Sequence, residues 1–171
     1  MKMKTICRTN WHLLSLTLIA VGCASVVTAA EHQLIAPGGG LKLIVSDEGG
    51  LNYRVLVDGK TVLTNSPLGL EFQDGTRLGP KAVIAGTKTA SHDGSWENHF
   101  GKRLKVRDHW QELRLTLQEQ DRTFGLVVRA YDDGVAFRYD LPVASKLGHF
   151  TLTKELTEFR FTEDSRCWFG E

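Results

Sequence analysis

The stretch Trp110–Gln120 sets the tightest limit on how this chain can fold. Leu113, Leu115 and Leu117 alternate with Glu112, Arg114 and Thr116. Successive side chains of a strand point to opposite faces, so this pattern buries one face and wets the other. A helix needs apolar residues three and four apart, and Leu113 with Leu117 is the one good pair in the run. The signal repeats downstream. In Thr123–Tyr131, Phe124, Leu126, Val128 and Ala130 share a face; Asp132-Asp133-Gly134 reads as a turn; and Val135, Phe137 and Tyr139 align on the way back. Three half-buried strands in succession need a second layer over their apolar side.

The upstream half supplies it. Leu41–Val45 reads as a strand, Asp47-Glu48-Gly49-Gly50 as a turn, and Leu51–Val57 as the next strand, with Tyr53, Val55 and Val57 on one face and Arg54 on the other. Asp58-Gly59 marks a tight hairpin turn into Thr61–Leu63, where Gly59 accepts a positive φ without a Cβ penalty. Pro67–Phe72, Lys81–Thr89, Phe150–Leu152 and Glu158–Phe161 read as further strands. Ser91–Asn98, polar and glycine-bearing, reads as a loop carrying Trp96. No stretch after Glu31 keeps a helical period, and no repeat of fixed length is visible. Roughly eight to eleven short strands joined by Gly and Asp turns define an all-β fold, an antiparallel sandwich or a barrel. A (β/α)8 barrel takes roughly 250 residues, more than the 171 here. With 42% hydrophobic and 24% charged residues, wholesale disorder and a collagen-like chain are excluded.

The first thirty residues are a separate object. Lys2, Lys4 and Arg8 precede a mostly apolar Trp11–Ala20, and small residues follow. That is the layout of a secretory signal peptide, and His12, Ser15 and Thr17 interrupt it too often for a membrane span. Cleavage after Ala29 or Ala30 fits the small-residue rule. Ala20-Val21-Gly22-Cys23 also looks like a lipoprotein box, in which Cys23 would be acylated and held on a membrane. The mature domain is then 31–171. Three of the 21 bases and none of the 20 acids leave with the signal, so the formal charge turns from +1 to slightly negative. Nothing in that balance asks for a nucleic acid. Cys167 is the one cysteine left besides Cys23, so no intrachain disulfide framework is available and the core must hold the fold.

Candidate chemistry is sparse. Gly38-Gly39-Gly40 lacks the Gly-Lys-Ser/Thr ending of a phosphate loop, and no helix follows it. His92, Asp93, His99, Asp108 and His109 carry metal-ligand chemistry, but their spacing matches no compact metal motif, and they read as solvated loop positions rather than ligands. His32 and His149 have no informative neighbours. Asp132 and Asp133 read as turn formers rather than an acid/base pair. Arg129 and Arg138 flank that turn and are expected to pair with Asp133 or Asp140, or to contact another domain. Trp96, Trp110 and Trp168 offer either sugar-stacking faces or core anchors. Cys167 has no basic partner in view that would make it a nucleophile. Trp168-Phe169, a bulky pair close to Glu171, is expected to find its packing partners in sequence beyond this chain.

Three blocks carry a family resemblance: Ser66-Pro67-Leu68-Gly69-Leu70, Arg129 through Tyr139 (RAYDDGVAFRY), and Glu155 through Phe161. With the hairpin Leu51–Phe72 they resemble, in family order from Leu34 to Trp168, the N-terminal domain of glycoside hydrolase family 97. The resemblance implies a large β-sandwich, of the super-sandwich type, incomplete at its C-terminal end. It implies that this sandwich braces a catalytic (β/α)8 barrel lying outside the chain, in a secreted or periplasmic bacterial α-glucosidase or α-galactosidase that acts on α-linked oligosaccharides. Calcium in such enzymes is held by glutamates, one of them from the N-terminal domain. That residue is expected downstream of Trp168, and Glu171 is not assigned to it. No catalytic residue is named in this chain, which is expected to be inactive alone as the fragment of a larger enzyme. A carbohydrate-binding sandwich, with exposed tryptophans converging on a groove, is the alternative. A structural envelope module holding a partner through an apolar face is a third.

Overall fold

A computed structural model describes residues 31–142, 150–164 and 166, and their regular structure is entirely β. In chain order the strands are β1 (Glu31–Ile35), β2 (Leu41–Ser46), β3 (Asn52–Val57), β4 (Lys60–Pro67), β5 (Leu70–Phe72), β6 (Arg77–Leu78), β7 (Val83–Glu97), β8 (Lys105–Glu119), β9 (Arg122–Tyr131), β10 (Gly134–Asp140) and β11 (Leu152–Glu155). They form two four-stranded sheets, ordered β1-β2-β3-β4 and β10-β9-β8-β7, and a small third sheet ordered β11-β5-β6. Every pairing is antiparallel. The fold is the antiparallel sandwich that the alternation requires. Cys23, His149, Cys167, Trp168, Phe169 and Glu171 lie outside the described residues.

The core sits between the two large sheets. Leu41, Leu43, Val45, Tyr53 and Val55 meet Leu113, Leu115, Leu117, Phe124, Leu126, Val128 and Ala130 in one cluster, with Val135, Phe137 and Tyr139 packed at its margin. These are the positions that period two places on the inner faces. The register agrees, pairing Leu113 with Val128, Leu115 with Leu126 and Leu117 with Phe124. Asp58 and Gly59 both take positive φ, 49° and 77°, between Val57 and Lys60. This is the twist-matched two-residue hairpin turn that Asp-Gly favours.

The small sheet adds Leu70, Phe72 and Leu78 to the same core. Its junction with β7 is fixed by Glu119, a buried carboxylate that accepts hydrogen bonds from the Gly79 N–H at 2.6 Å and the Lys81 N–H at 3.1 Å. Tyr53 reaches the other way, donating its hydroxyl to the Glu158 carbonyl at 3.0 Å. Burial pushes its phenol up to about 12, so it stays a donor across the physiological range.

Four sequence readings need correction. Ser91–Asn98 is not a loop: it continues β7 to Glu97, paired residue for residue with β8 from Trp110 down to Lys105. Its polarity reflects a ribbon wet on both faces, which composition alone does not separate from a loop. Glu158–Phe161 forms no regular strand; it makes an isolated bridge, Leu63 with Phe161, and backbone hydrogen bonds from the Thr64 N–H to the Arg160 carbonyl and from the Glu158 N–H to the Pro67 carbonyl. The strand expected at Phe150–Leu152 runs instead from Leu152 to Glu155. β1 and β6 were not anticipated, because Leu34 in one and Leu78 in the other is the single buried side chain of each.

Candidate functional site

Two outward features of the second sheet carry polar chemistry: its exposed face around Trp110, and the far end of the β7–β8 ribbon. On the face, period two turns Trp110, Glu112 and Arg114 of β8 outward, together with Arg129 of β9 and His92 of β7. Glu112 is 1% exposed and accepts from Arg114 Nε and Arg129 Nε, each at 2.6 Å. The expectation that Arg129 pairs with Asp133 or Asp140 is therefore wrong. The cross-strand register sets Glu112 opposite Arg129, while Asp140 pairs across from Gly125 and Asp133 sits in the turn. Arg129 also lies over the Trp110 ring, 4.0 Å from its centroid, a cation–π contact. Arg138 makes no ion pair among the described residues; with Arg129, Tyr131, Val127 and Ala136 it lines a shallow hollow of about 220 Å³.

Burial pushes the Glu112 carboxyl up, but the hydrogen bonds from Arg129 and Arg114 outweigh it and hold the group below its ordinary value. A carboxylate held down in this way stays anionic and has no proton to give as a general acid. The folded value lies below the unfolded one near 4.3, so the stabilisation is complete above that unfolded value and drains away as pH falls through the folded one. Glu112→Gln is expected to cost about 2 kcal/mol at neutral pH, because two half-exposed guanidiniums lose their anion but regain water. Urea midpoints of the two proteins should converge in strong acid. A gap independent of pH would assign the loss to packing instead.

The histidines and aspartates of the metal reading are brought onto one ribbon but not to one point. Asp108 accepts from Trp110 Nε1 at 3.2 Å and faces His92 Nε2 at 3.7 Å. Asp93 is gripped by Arg107 through two 2.9 Å hydrogen bonds, with His109 Nε2 at 4.0 Å. Strand parity puts His92 and Asp108 on one face and Asp93 and His109 on the other, while His99 sits in the turn beyond. Among the described residues no three such side chains are arranged to hold a metal ion.

The remaining candidates have structural roles. The Gly38 N–H donates to Asp132 Oδ1 at 2.5 Å, so the glycine run is a β1–β2 turn clasped by the β9–β10 turn. The Trp110 ring has His92 stacked at 5.4 Å and Arg129 over it. Trp96 is half exposed and lies four residues beyond His92 along β7, about 13 Å at strand rise. The two tryptophans do not form a groove. Sequence reasoning missed Glu112; a carboxylate two residues before an arginine on an outward strand face was the available signal.

The fold is thus a two-layer antiparallel sandwich on whose second sheet Glu112 and Asp93 are held by arginines. The chain belongs to the family described as Glycosyl-hydrolase 97 N-terminal, whose profile matches residues 34–171. It is 28% identical over 152 residues to a retaining alpha-galactosidase of Bacteroides thetaiotaomicron, covering 88% of this chain and 22% of that protein. It is 31% identical over 123 residues to a probable retaining alpha-galactosidase of Streptomyces bingchenggensis, covering 71% and 19%. Among solved structures it resembles a family 97 enzyme of Pseudoalteromonas sp. strain K8 in complex with acarbose, with TM-score 0.72, 33% identity and coverage of 77% and 20%. It also resembles a beta-arabinopyranosidase, with TM-score 0.71, 29% identity and coverage of 77% and 21%. The chain spans about a fifth of the length of these relatives. It is an N-terminal accessory domain of that family.

Proposed function

We propose that this chain braces the catalytic barrel of an exo-acting α-glycoside hydrolase, an α-glucosidase or α-galactosidase, and carries none of the acid/base chemistry itself. One observation supports this most. Most of this chain matches about a fifth of each of several enzymes named for different sugars, so the part shared among them is scaffold and the sugar is chosen elsewhere. The locked state of Glu112 agrees with that division, since glycoside hydrolysis needs one carboxyl able to give a proton and a second able to attack or to activate water. Calcium belongs in this reading to the complete enzyme. No three His, Cys, Asp or Glu side chains among the described residues are grouped to hold it. The basic and apolar start, from Lys2 to Ala20, supports export to the periplasm, with Cys23 as the acylated residue if the lipoprotein box is used.

The test uses the purified chain and the Bacteroides thetaiotaomicron α-galactosidase made without its matching fifth. The chain alone is expected to release nothing from an aryl α-galactoside or α-glucoside. Added in excess to the shortened enzyme, it is expected to raise that enzyme's thermal midpoint by several degrees, as a ligand of the folded state does. Turnover by the chain alone, or a midpoint that ignores it, sinks the reading.

A further inference from the structure

The geometry points to the tip of the β7–β8 ribbon as a plug that seats in the catalytic part of a family 97 enzyme, in an apolar socket rimmed by carboxylates. This inference names the contact surface of the bracing role above and rests on it.

From His92 to Glu97 and from Lys105 to Trp110 the two strands pair only with each other among the described residues, because the pairing with β9 begins at Gln111. Six residue pairs extend the ribbon about 20 Å beyond the sandwich. A two-stranded ribbon wet on both faces is marginal in water, yet this one is reinforced along its length. Arg107 holds Asp93 across one face, and Asp108 with Trp110 and His92 stiffens the other. The turn is itself closed: the Asn98 N–H donates to the Leu104 carbonyl at 2.6 Å, and the Phe100 N–H to Asn98 Oδ1 at 3.1 Å.

What this ordered turn presents is apolar. Phe100 is 90% exposed, Leu104 61% and Trp96 52%. Such anchors are most valuable when they enter a pocket already in their bound conformation. Between Asn98 and Lys105 there are three bases, Lys102, Arg103 and Lys105, and no acid, so the socket's rim is expected to be acidic. The occupant follows from the family's architecture: in each relative about four fifths of the polypeptide lies outside the matched region and is joined to this sandwich. A stiff arm ending in an aromatic and an aliphatic side chain needs such a neighbour to cover it.

The decisive experiment measures binding of the immobilised chain to the Pseudoalteromonas enzyme lacking its matched fifth. The preparation used is one that rebinds its own first fifth. Three forms are compared: wild type, Phe100→Asp/Leu104→Asp, and Val83→Asp, an exposed apolar residue at the other end of β7. Circular dichroism confirms that all three are folded. The inference expects wild type and Val83→Asp to bind alike and the tip variant to bind at least about tenfold more weakly. If wild type binds and the tip variant equals it, the plug is wrong and the bracing role stands. If wild type does not bind, the bracing role falls and the plug with it. Two further results also overturn the plug: tip-dependent capture by phosphatidylglycerol vesicles without capture by the enzyme, which would make the tip a membrane contact, and a dimer of the chain abolished by the tip variant.

Discussion

Gly79→Ala is expected to destabilise the domain by about 4 kcal/mol, a large share of the roughly 5–15 kcal/mol that holds a domain folded. Gly79 has φ +113°, and a Cβ there would overlap the Leu68 carbonyl oxygen and lie 2.8 Å from the Gly69 Cα. Both obstacles are backbone, so neither can rotate away. The strained φ costs about 1–3 kcal/mol and the overlap about as much again. Relief by movement is also closed. The Gly79 carbonyl accepts from the Leu51 N–H at 2.9 Å, and its N–H donates to Glu119. Shifting the residue would thus pull on both large sheets. Urea denaturation of the two proteins measures the difference; a loss under about 1 kcal/mol would mean that the junction is far more pliant than these contacts allow.

Phe124→Ala is the second large effect, expected at about 3–5 kcal/mol from lost burial and the cavity left behind. Phe124 is 1% exposed and pairs with fully buried Leu117 on the inner face of the second sheet. Phe100→Ala is the matched control. The same side chain is removed from a site 90% exposed, and the change should stay within about 0.5 kcal/mol. Equal losses at the two positions would overturn the assignment of inside and outside on which the core rests.

Those two phenylalanines also show how far the sequence can be read. Phe124 announces itself, because it falls in an unbroken alternation whose neighbours, Leu126 and Val128, obey the same parity. Phe100 does not. It stands among His99, Gly101 and Lys102 with no period around it, and only the pairing of Trp96 with Val106 reveals that it crowns a hairpin. Half-buried strands were legible because burial writes a pattern. The ribbon was not, because a strand wet on both faces places no demand on composition and so imitates a loop. The site behaved in the same way. Asp132 and Asp133 were correctly read as a turn from local chemistry, whereas Arg129's true partner depended on register between strands and went to Glu112. The family was visible in the RAYDDGVAFRY block, whose inward Ala130 is core and whose inward Val135, Phe137 and Tyr139 pack at its margin. Its outward Arg129, Tyr131 and Arg138 gather around the hollow beside the sheet's edge.

The clasp between Gly38 and Asp132 joins residues 94 apart in sequence. The opening hairpin must therefore stand unlatched until the ninth strand and the turn after it have arrived. Non-local closures of this kind slow folding, since the chain loses its freedom before the contact that rewards the loss is made. A ribosome adding roughly 5–20 residues per second would need about 5–20 seconds to span that interval. For that time the first sheet has neither its latch nor its apolar cover.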